Sequence, residues 1–499
     1  MKRIIVTTDI HGHFSNDNYA TNQKEKWGLA SINQEIKKLK TKDTILIDNG
    51  DFFQGSALMN HYFRFHKFSN PSIKIFNYIG YDYYNLGNHD FNFGKKELLN
   101  FLEKINAKTI TTNVEINGKK FDYQIHEFSD GMRACLIGVV TDFVNVWEQE
   151  KNLEGIKITN AYQTLKEQIK QIKEKENVDY IIAVYHGGIE KDLETKKANR
   201  PITGENEGFK MCEDLDIDIL ITGHEHREIV GNCENVLVTQ SNYRGLSYIQ
   251  IDLEPTKKAQ LNYPSEDIDI QLNDLIKEEK KIVNEWLDQK IKTTTNDFLI
   301  TDPDEARINK HPFFSLINKI IQSKIDCDLS SVGFDVNAKG FSKNITIREI
   351  LASFPFENTL MVYETTGKVL KRYLEHSLEF FTQSNEKIII NPDKITPKNE
   401  LYNYEMVGGI IYYADISKKP QERITKILYN NNEIKDTDTF KLCMSNYRAS
   451  KTGGYDMIEE MKLIKEYQVD LVDLIIDYLE NNSIDESFEK NIHLYVENM

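Results

Sequence analysis

"TILIDNGD", Thr44–Asp51, joins a short apolar run to a polar turn made of Asn49, Gly50 and Asp51. Four apolar or β-branched residues followed by a glycine turn predict a buried strand that stops abruptly and presents side chains at its end. The same unit recurs through the first half as "RIIVTTD" (3–9), "YYNLGNHD" (83–90), "ACLIGVV" (134–140), "YIIAVYHGG" (180–188), "DILITGHEH" (218–226) and "NVLVTQSN" (235–242). Amphipathic helical stretches such as "LASINQEIKKLK" (29–40) and "AYQTLKEQIKQIKEK" (161–175) lie between several of them. Strand–helix alternation of this kind predicts a layered α/β domain whose polar turns gather along one edge of the sheets, where a site is assembled.

At 499 residues with 40% apolar content, the chain is long enough for two substantial cores. A net charge of −16 disfavours a polymeric nucleic acid or an anionic membrane as partner, and no dense Lys/Arg block offsets it. The opening apolar run is only Ile4, Ile5 and Val6, so no signal peptide is read and a cytoplasmic location is expected for the chain as written, or a secreted or periplasmic one if a leader has been trimmed. Five scattered cysteines without a C-x-x-C pair suggest neither a disulfide framework nor a thiolate metal site.

Beyond residue 250 the pattern changes. Leu272, Leu275, Ile276, Ile282, Val283, Trp286 and Leu287 recur at helical spacing, and Phe313, Leu316, Ile317, Ile320 and Ile321 form a second helical face; both read as connectors. From about Asp328, "TLMVYETTG", the helix through "KVLKRYLEHSLEFF", the hairpin-like "YNYEMVGGIIYYADIS" and the helical "LVDLIIDYLE" read as a smaller α/β domain. The expected division is a domain over 1–300, a helical linker over 301–327 and a second domain over 328–499.

The strand ends of the first half carry a consistent set of donors. Asp9 and His11 stand two apart, as do His224 and His226, so in extended chain each pair shares one face. Asp51, Asn88 and His186 occupy the corresponding places in "DNGD", "GNHD" and "VYHGG". Imidazoles, carboxylates and an amide without thiolate suit Mn, Zn, Fe or Co. Seven donors exceed what one ion needs if it must also hold substrate, whereas two divalent ions sharing a bridging carboxylate, naturally Asp51, fit the count and suit in-line displacement at phosphorus.

"DIHGH", "DNGD", "GNHD", "VYHGG" and "GHEH" resemble, in order, the motif blocks of the calcineurin-like metallophosphoesterases. With "DNGDFFQGS", "NHDFNFG", "YNYEMVGG" and "SNYRASKTGGYD" the chain resembles the bacterial 5'-nucleotidase family, and within it most nearly the 2',3'-cyclic-nucleotide 2'-phosphodiesterase/3'-nucleotidase branch. The resemblance implies a β-sandwich metallophosphoesterase domain flanked by helices and a C-terminal nucleotidase domain. It further implies Asp9, His11, Asp51 and His226 around one metal, Asp51, Asn88, His186 and His224 around the other, and His89 as the catalytic residue offered to substrate. Many 5'-nucleotidases have an Asp three residues beyond that His; here Asn92 stands there. Asp90 is expected to be structural and His13 to lie outside the ligand set.

In the second domain the resemblance implies that Tyr404 and Tyr447 sandwich a nucleobase, with Asp456 as a further sugar or base contact and the substrate reaching from one domain to the other. "SVGFDVNAKGF" (331–341) lacks the phosphate-binding Arg that 5'-nucleotidases carry thereabouts, which favours cyclic or 3'-phosphates over 5'-monophosphates. The expected activity is therefore dinuclear metal-dependent hydrolysis of small nucleotide phosphoesters. The alternatives are hydrolysis of nucleotide-sugars or other small phosphoesters, a 5'-nucleotidase, or a nucleotide-binding protein without catalysis.

Overall fold

A computed structural model describes residues 2–198, 202, 204–336, 338–354, 358–396, 399–488 and 490–497. The chain divides into two units, Met1–Val283 and Asn284–Met499.

The first unit is built from two six-stranded sheets. One runs in the order Lys258–Asn262, Tyr248–Asp252, Arg3–Thr7, Thr44–Asp48, Tyr83–Tyr84, Lys108–Thr109. The other runs Ile229–Cys233, Val236–Gln240, Ile219–Ile221, Tyr180–His186, Arg133–Val140, Gln124–Glu127. In each sheet the four strands that carry or flank the donor turns are parallel; antiparallel strands close both edges of the second sheet, and the antiparallel pair Tyr248–Asp252 and Lys258–Asn262 closes one edge of the first.

Strand Tyr180–His186 shows why these runs are apolar throughout rather than alternating. Ile182 and Val184 join Ile4, Val6, Ile45, Ile47 and Leu136 in the core between the sheets. Ile181, Ala183 and Tyr185 join Leu165, Ile169 and Ile172 of helix Ala161–Lys175 on the outer face. Both faces leave water, at about 1.5–3 kcal/mol for each large aliphatic side chain fully buried. The helix starts where Asn160 accepts a hydrogen bond from Gln163 N–H at 2.9 Å, a side-chain cap on an otherwise unpaired amide.

The second unit holds a five-stranded sheet, Glu405–Gly408, Leu329–Gly333, Thr439–Ser445, Thr359–Thr366, Lys462–Asp470, and a four-stranded sheet, Asn432–Glu433, Ile424–Tyr429, Ile411–Asp415, Ile492–Tyr495. Two expectations change here. "YNYEMVGGIIYYADIS" is not a hairpin: Glu405–Gly408 pairs with Leu329–Gly333, while Ile411–Asp415 pairs with Ile424–Tyr429 in the other sheet. Gly409, at φ 91°, turns the chain from one sheet to the next. The stretch expected as a linker also contributes core: helix Pro312–Lys324 buries Phe313, Phe314, Leu316, Ile317, Ile320 and Ile321 and packs on Leu329–Gly333 and on helix Leu471–Asn481. A helix with an apolar face that wide is held by what it covers.

All five cysteines are free thiols. Among the described residues no helix is long and apolar enough to cross a membrane.

Candidate metal centre

The parallel strands of both sheets end at the same edge, and their first turns deliver the donors. Asp9 follows Arg3–Thr7, Asp51 follows Thr44–Asp48, Asn88 follows Tyr83–Tyr84, His186 ends its own strand, and His224 and His226 follow Ile219–Ile221. To aim their side chains inward, Asp9, His11, Asp51, His224 and His226 adopt left-handed backbone, with φ of 54°, 51°, 54°, 69° and 56°. Gly50 and Gly87 let two of these turns touch: a Cβ on Gly50 would meet Gly87 N at 2.2 Å, and one on Gly87 would meet Asp51 Oδ1 at 2.2 Å.

All seven expected donors are brought together. His11 Nε2 lies 3.1 Å from His226 Nε2, and Asp9 Oδ1 is 3.4 Å from His226 Nε2 and 4.0 Å from His11 Nε2. Alongside, Asn88 Oδ1 lies 3.1 Å from His186 Nε2 and 2.8 Å from His224 Nδ1. Asp51 Oδ2 sits between these halves, 3.2 Å from His186 Nε2 and 3.9 Å from His11 Nε2. Asp9 Oδ1 spans the same interval, reaching His186 Nε2 at 3.9 Å. Two sets of three ligand atoms, Asp9–His11–His226 and Asp9–Asp51–His186, each fall within 4.8 Å of one another.

The arrangement fits divalent cations. His11 donates Nδ1–H to Gln54 O at 2.9 Å, so its Nε2 keeps a lone pair, and that lone pair faces His226 Nε2. His186 is oriented likewise by Asn49 O. His224 directs Nε2 to the Glu205 carboxylate at 2.9 Å, the outer partner that fixes a ligating imidazole. Buried carboxylates with no cation draw protons instead. Burial acts to depress His186, but Asp51 and Asp9 outweigh it and lift the imidazole to about 10. Burial dominates at His11 and takes it down to about 3.

Asp90 is structural, as expected. It accepts from Gly87 N (2.8 Å), Asp51 N (3.2 Å), Phe52 N (3.1 Å) and Tyr84 Oη (2.6 Å), and so ties the Asn88 turn to the Asp51 turn. Burial and then the Asp51 charge raise its carboxyl to about 6. His13 is buried and donates to His11 O at 2.9 Å rather than facing the donors.

His89 stands beside the cluster without entering it. Its backbone N–H donates to Asp51 Oδ1 at 2.7 Å, its ring meets His11 edge-on at 5.5 Å, and its Nδ1 is engaged by Asn92 Oδ1 at 2.8 Å. Three flanking groups escaped the sequence reading. Trp147 stacks on His224 at 5.4 Å, Tyr243 stacks on His226 at 4.5 Å, and Glu205 backs His224. None lies in a motif block, and nothing in their local sequence marks them.

In the second unit Tyr447, in the helical turn Asn446–Ala449, is 38% exposed, with the Arg448 guanidinium 5.6 Å from its ring centroid. Asp456 is exposed at the start of the 3-10 turn Asp456–Glu460. Tyr404 does not meet the expectation placed on it. Only 1% exposed, its ring packs edge-on against Phe381 at 4.9 Å, so no face is open to a base.

Comparison with known proteins agrees with this geometry. The calcineurin-like phosphoesterase family matches residues 2–228, and the C-terminal domain family of 5'-nucleotidases matches 290–460. A crystal structure from Staphylococcus aureus, assigned as a 5'-nucleotidase, is 30% identical and superposes with a TM-score of 0.89 over 99% of both chains. The chain belongs to the 5'-nucleotidase family of calcineurin-like phosphoesterases. Among this family's curated members, the 2',3'-cyclic-nucleotide 2'-phosphodiesterase/3'-nucleotidase of Haemophilus influenzae is 24% identical over 90% of this chain and 80% of its own length. The trifunctional nucleotide phosphoesterase protein YfkN of Bacillus subtilis is 25% identical over 95% of this chain, which spans only 37% of that longer protein.

Proposed function

We propose that this family member is a dinuclear metal-dependent phosphoesterase acting on small nucleotides, 2',3'-cyclic nucleotides and nucleoside monophosphates. The convergence of Asp9, His11, Asp51, Asn88, His186, His224 and His226 at one sheet edge carries the reading. Asp9, His11, Asp51 and His226 would hold one ion, Asp51, Asn88, His186 and His224 the other, and the thiolate-free donor set suits Mn, Zn, Fe or Co. Two such ions supply Lewis-acid polarisation of a phosphoryl group and an acidified water. The chain's own contribution begins with orientation: Gln54 O, Asn49 O and Glu205 fix the imidazoles so that each presents one chosen nitrogen. His89, its Nδ1–H donated to Asn92, directs the opposite ring edge outward, where Nε2, in the imidazolium form whose Nδ1–H the Asn92 oxygen also accepts, can donate to a phosphoryl or leaving-group oxygen as charge builds there. Tyr447 offers a ring for stacking on a nucleobase, and Asp456 is a further candidate contact for sugar or base.

Nucleoside 5'-monophosphates form a second reading, favoured by the 30% likeness to the Staphylococcus aureus protein. A panel of 2',3'-cyclic, 3'- and 5'-nucleotides and a nucleotide-sugar, assayed with Mn, Zn, Co and Mg, tests both. Preferential turnover of the cyclic and 3'-substrates is expected. Turnover confined to 5'-monophosphates would select the second reading, and none on any nucleotide would overturn both.

A further inference from the structure

Behind His89 lies a chain of hydrogen bonds that ends in a carboxylate. His89 Nδ1 is 2.8 Å from Asn92 Oδ1, Asn92 Nδ2 donates to Glu148 Oε2 at 2.6 Å, and Glu148 Oε1 accepts from Gln149 N at 2.7 Å and from Asn152 Nδ2 at 2.8 Å. Asn152 Nδ2 also donates to Asn92 O at 2.8 Å, which closes the loop. Glu148 directly follows the short helix Val144–Trp147 and lies 56 residues from Asn92, with no motif to announce it.

An amide can point either way: with the oxygen toward His89 it demands a proton on Nδ1, and with the nitrogen toward His89 it demands a lone pair there. Nothing on the His89 side decides between them. The other end does, because a carboxylate has only acceptors and can face only the NH₂ of Asn92. We infer that Glu148 is a positioning residue for His89: by fixing the Asn92 amide it places the imidazole proton on Nδ1 and leaves Nε2 to face substrate. Glu148 thus stands in, through Asn92, for a carboxylate in direct contact with the histidine. The inference rests on the proposed phosphoesterase role of His89.

The variant E148Q isolates the effect. Its amide meets two donors on one side, Gln149 N and Asn152 Nδ2, and one on the other, Asn92 Nδ2. The better arrangement gives its oxygen to the two and its NH₂ to position 92, which turns the Asn92 amide and puts NH₂ against His89. Expected for E148Q is a kcat on bis(p-nitrophenyl) phosphate lowered roughly ten- to a hundredfold, the usual effect of losing an outer hydrogen-bond partner, with KM, bound zinc and melting temperature unchanged. N92D alone sets two carboxylates against each other and is also impaired. The double variant N92D/E148Q satisfies every donor and acceptor with the carboxylate moved one place inward, and recovers most of the lost kcat. A purely structural role for Glu148 predicts instead a lowered melting temperature and additive damage in the double variant. The second measurement does not depend on turnover: long-range ¹H–¹⁵N spectra of histidine-labelled, zinc-loaded protein, with the His89 signal assigned by its loss in H89N. These read Nδ1–H in the parent and Nε2–H in E148Q. An E148Q protein with the parent's kcat and tautomer, or a loss that N92D fails to repair, overturns the inference. Should the parent hydrolyse no phosphoester, the proposed function falls by itself and the tautomer comparison still decides the relay.

Discussion

His11 Nε2 and His226 Nε2 face each other at 3.1 Å, two nitrogens from strand ends 215 residues apart with the Asp9 carboxylate beside them. Such a pair is stable only with a cation or a proton between its members.

Ion binding should therefore stabilise the fold. A free divalent ion at a hundred times its Kd adds about 2.7 kcal/mol to the folded state. Treatment with a chelator is expected to lower the melting temperature of the first unit, and Mn or Zn to restore it. The variant H11N/H226N, which keeps only the Asp51, Asn88, His186 and His224 set, should show a smaller response than the parent, and a parent calorimetric trace that ignores both chelator and metal would contradict the donor assignment.

Ligands and the catalytic residue should separate by metal content. Asp51→Asn and His186→Ala each remove a donor and are expected to lose bound metal and several orders of magnitude in turnover. His89→Ala should keep its metal and lose turnover alone, since the hydrogen bond that His89 makes to Asp51 comes from its backbone N–H, which the substitution keeps. Elemental analysis beside kcat on one preparation distinguishes them; full metal with near-normal rates in the first two would be decisive against the assignment.

The two tyrosines of the second unit should behave oppositely. Tyr447→Ala is expected to reduce kcat/KM on nucleotides roughly tenfold to a hundredfold, the stacking worth of one base, and to spare bis(p-nitrophenyl) phosphate. Tyr404→Ala empties a buried aromatic site and should cost about 3 kcal/mol or more of stability, damaging all substrates alike. Equal loss on both substrates with a lowered melting temperature in Tyr447→Ala would remove it from the base site.

Lys310 gives the second unit a pH dependence. Its ammonium is buried, donates to Val407 O at 3.1 Å, and is pushed by burial from the ordinary 10.5 down to about 7. Between those values the unfolded chain holds a proton that the folded chain releases, so stability rises from pH 7 toward 10.5 and is least below 7. Lys310→Met should be more stable than the parent at pH 7 and converge with it near pH 10. Urea midpoints of the two proteins at both pH values test this, and parallel curves would refute it.

The donors were legible because each lies within a few residues of an apolar run, so that strand, turn and ligand type are read together. The extended-chain reading of Asp9 with His11 and of His224 with His226 does not hold: all four adopt left-handed backbone, and the turns rather than the two-residue spacing aim their side chains. Glu205, Glu148, Trp147 and Tyr243 were illegible because only the folded chain brings them to the histidines. Tyr404 misled for a different reason: among 25 tyrosines and 25 phenylalanines, a ring that packs and a ring that stacks on a ligand have the same local sequence. Helix Pro312–Lys324 likewise shows the same apolar stripe whether it joins domains or, as found, covers a sheet.

The left-handed backbone at Asp9, His11, Asp51, His224 and His226 sets the protein's stability against its chemistry. Strain of order 1–3 kcal/mol falls on each such residue, and glycine at the same place would feel none. A selection for thermal endurance alone, run on ion-free protein, would thus drift toward glycine at the very positions that bind the ions. Its winners would be sturdier and inert. Thermostabilising campaigns on this chain need metal present throughout, so that the bound ion offsets the strain its own ligands carry.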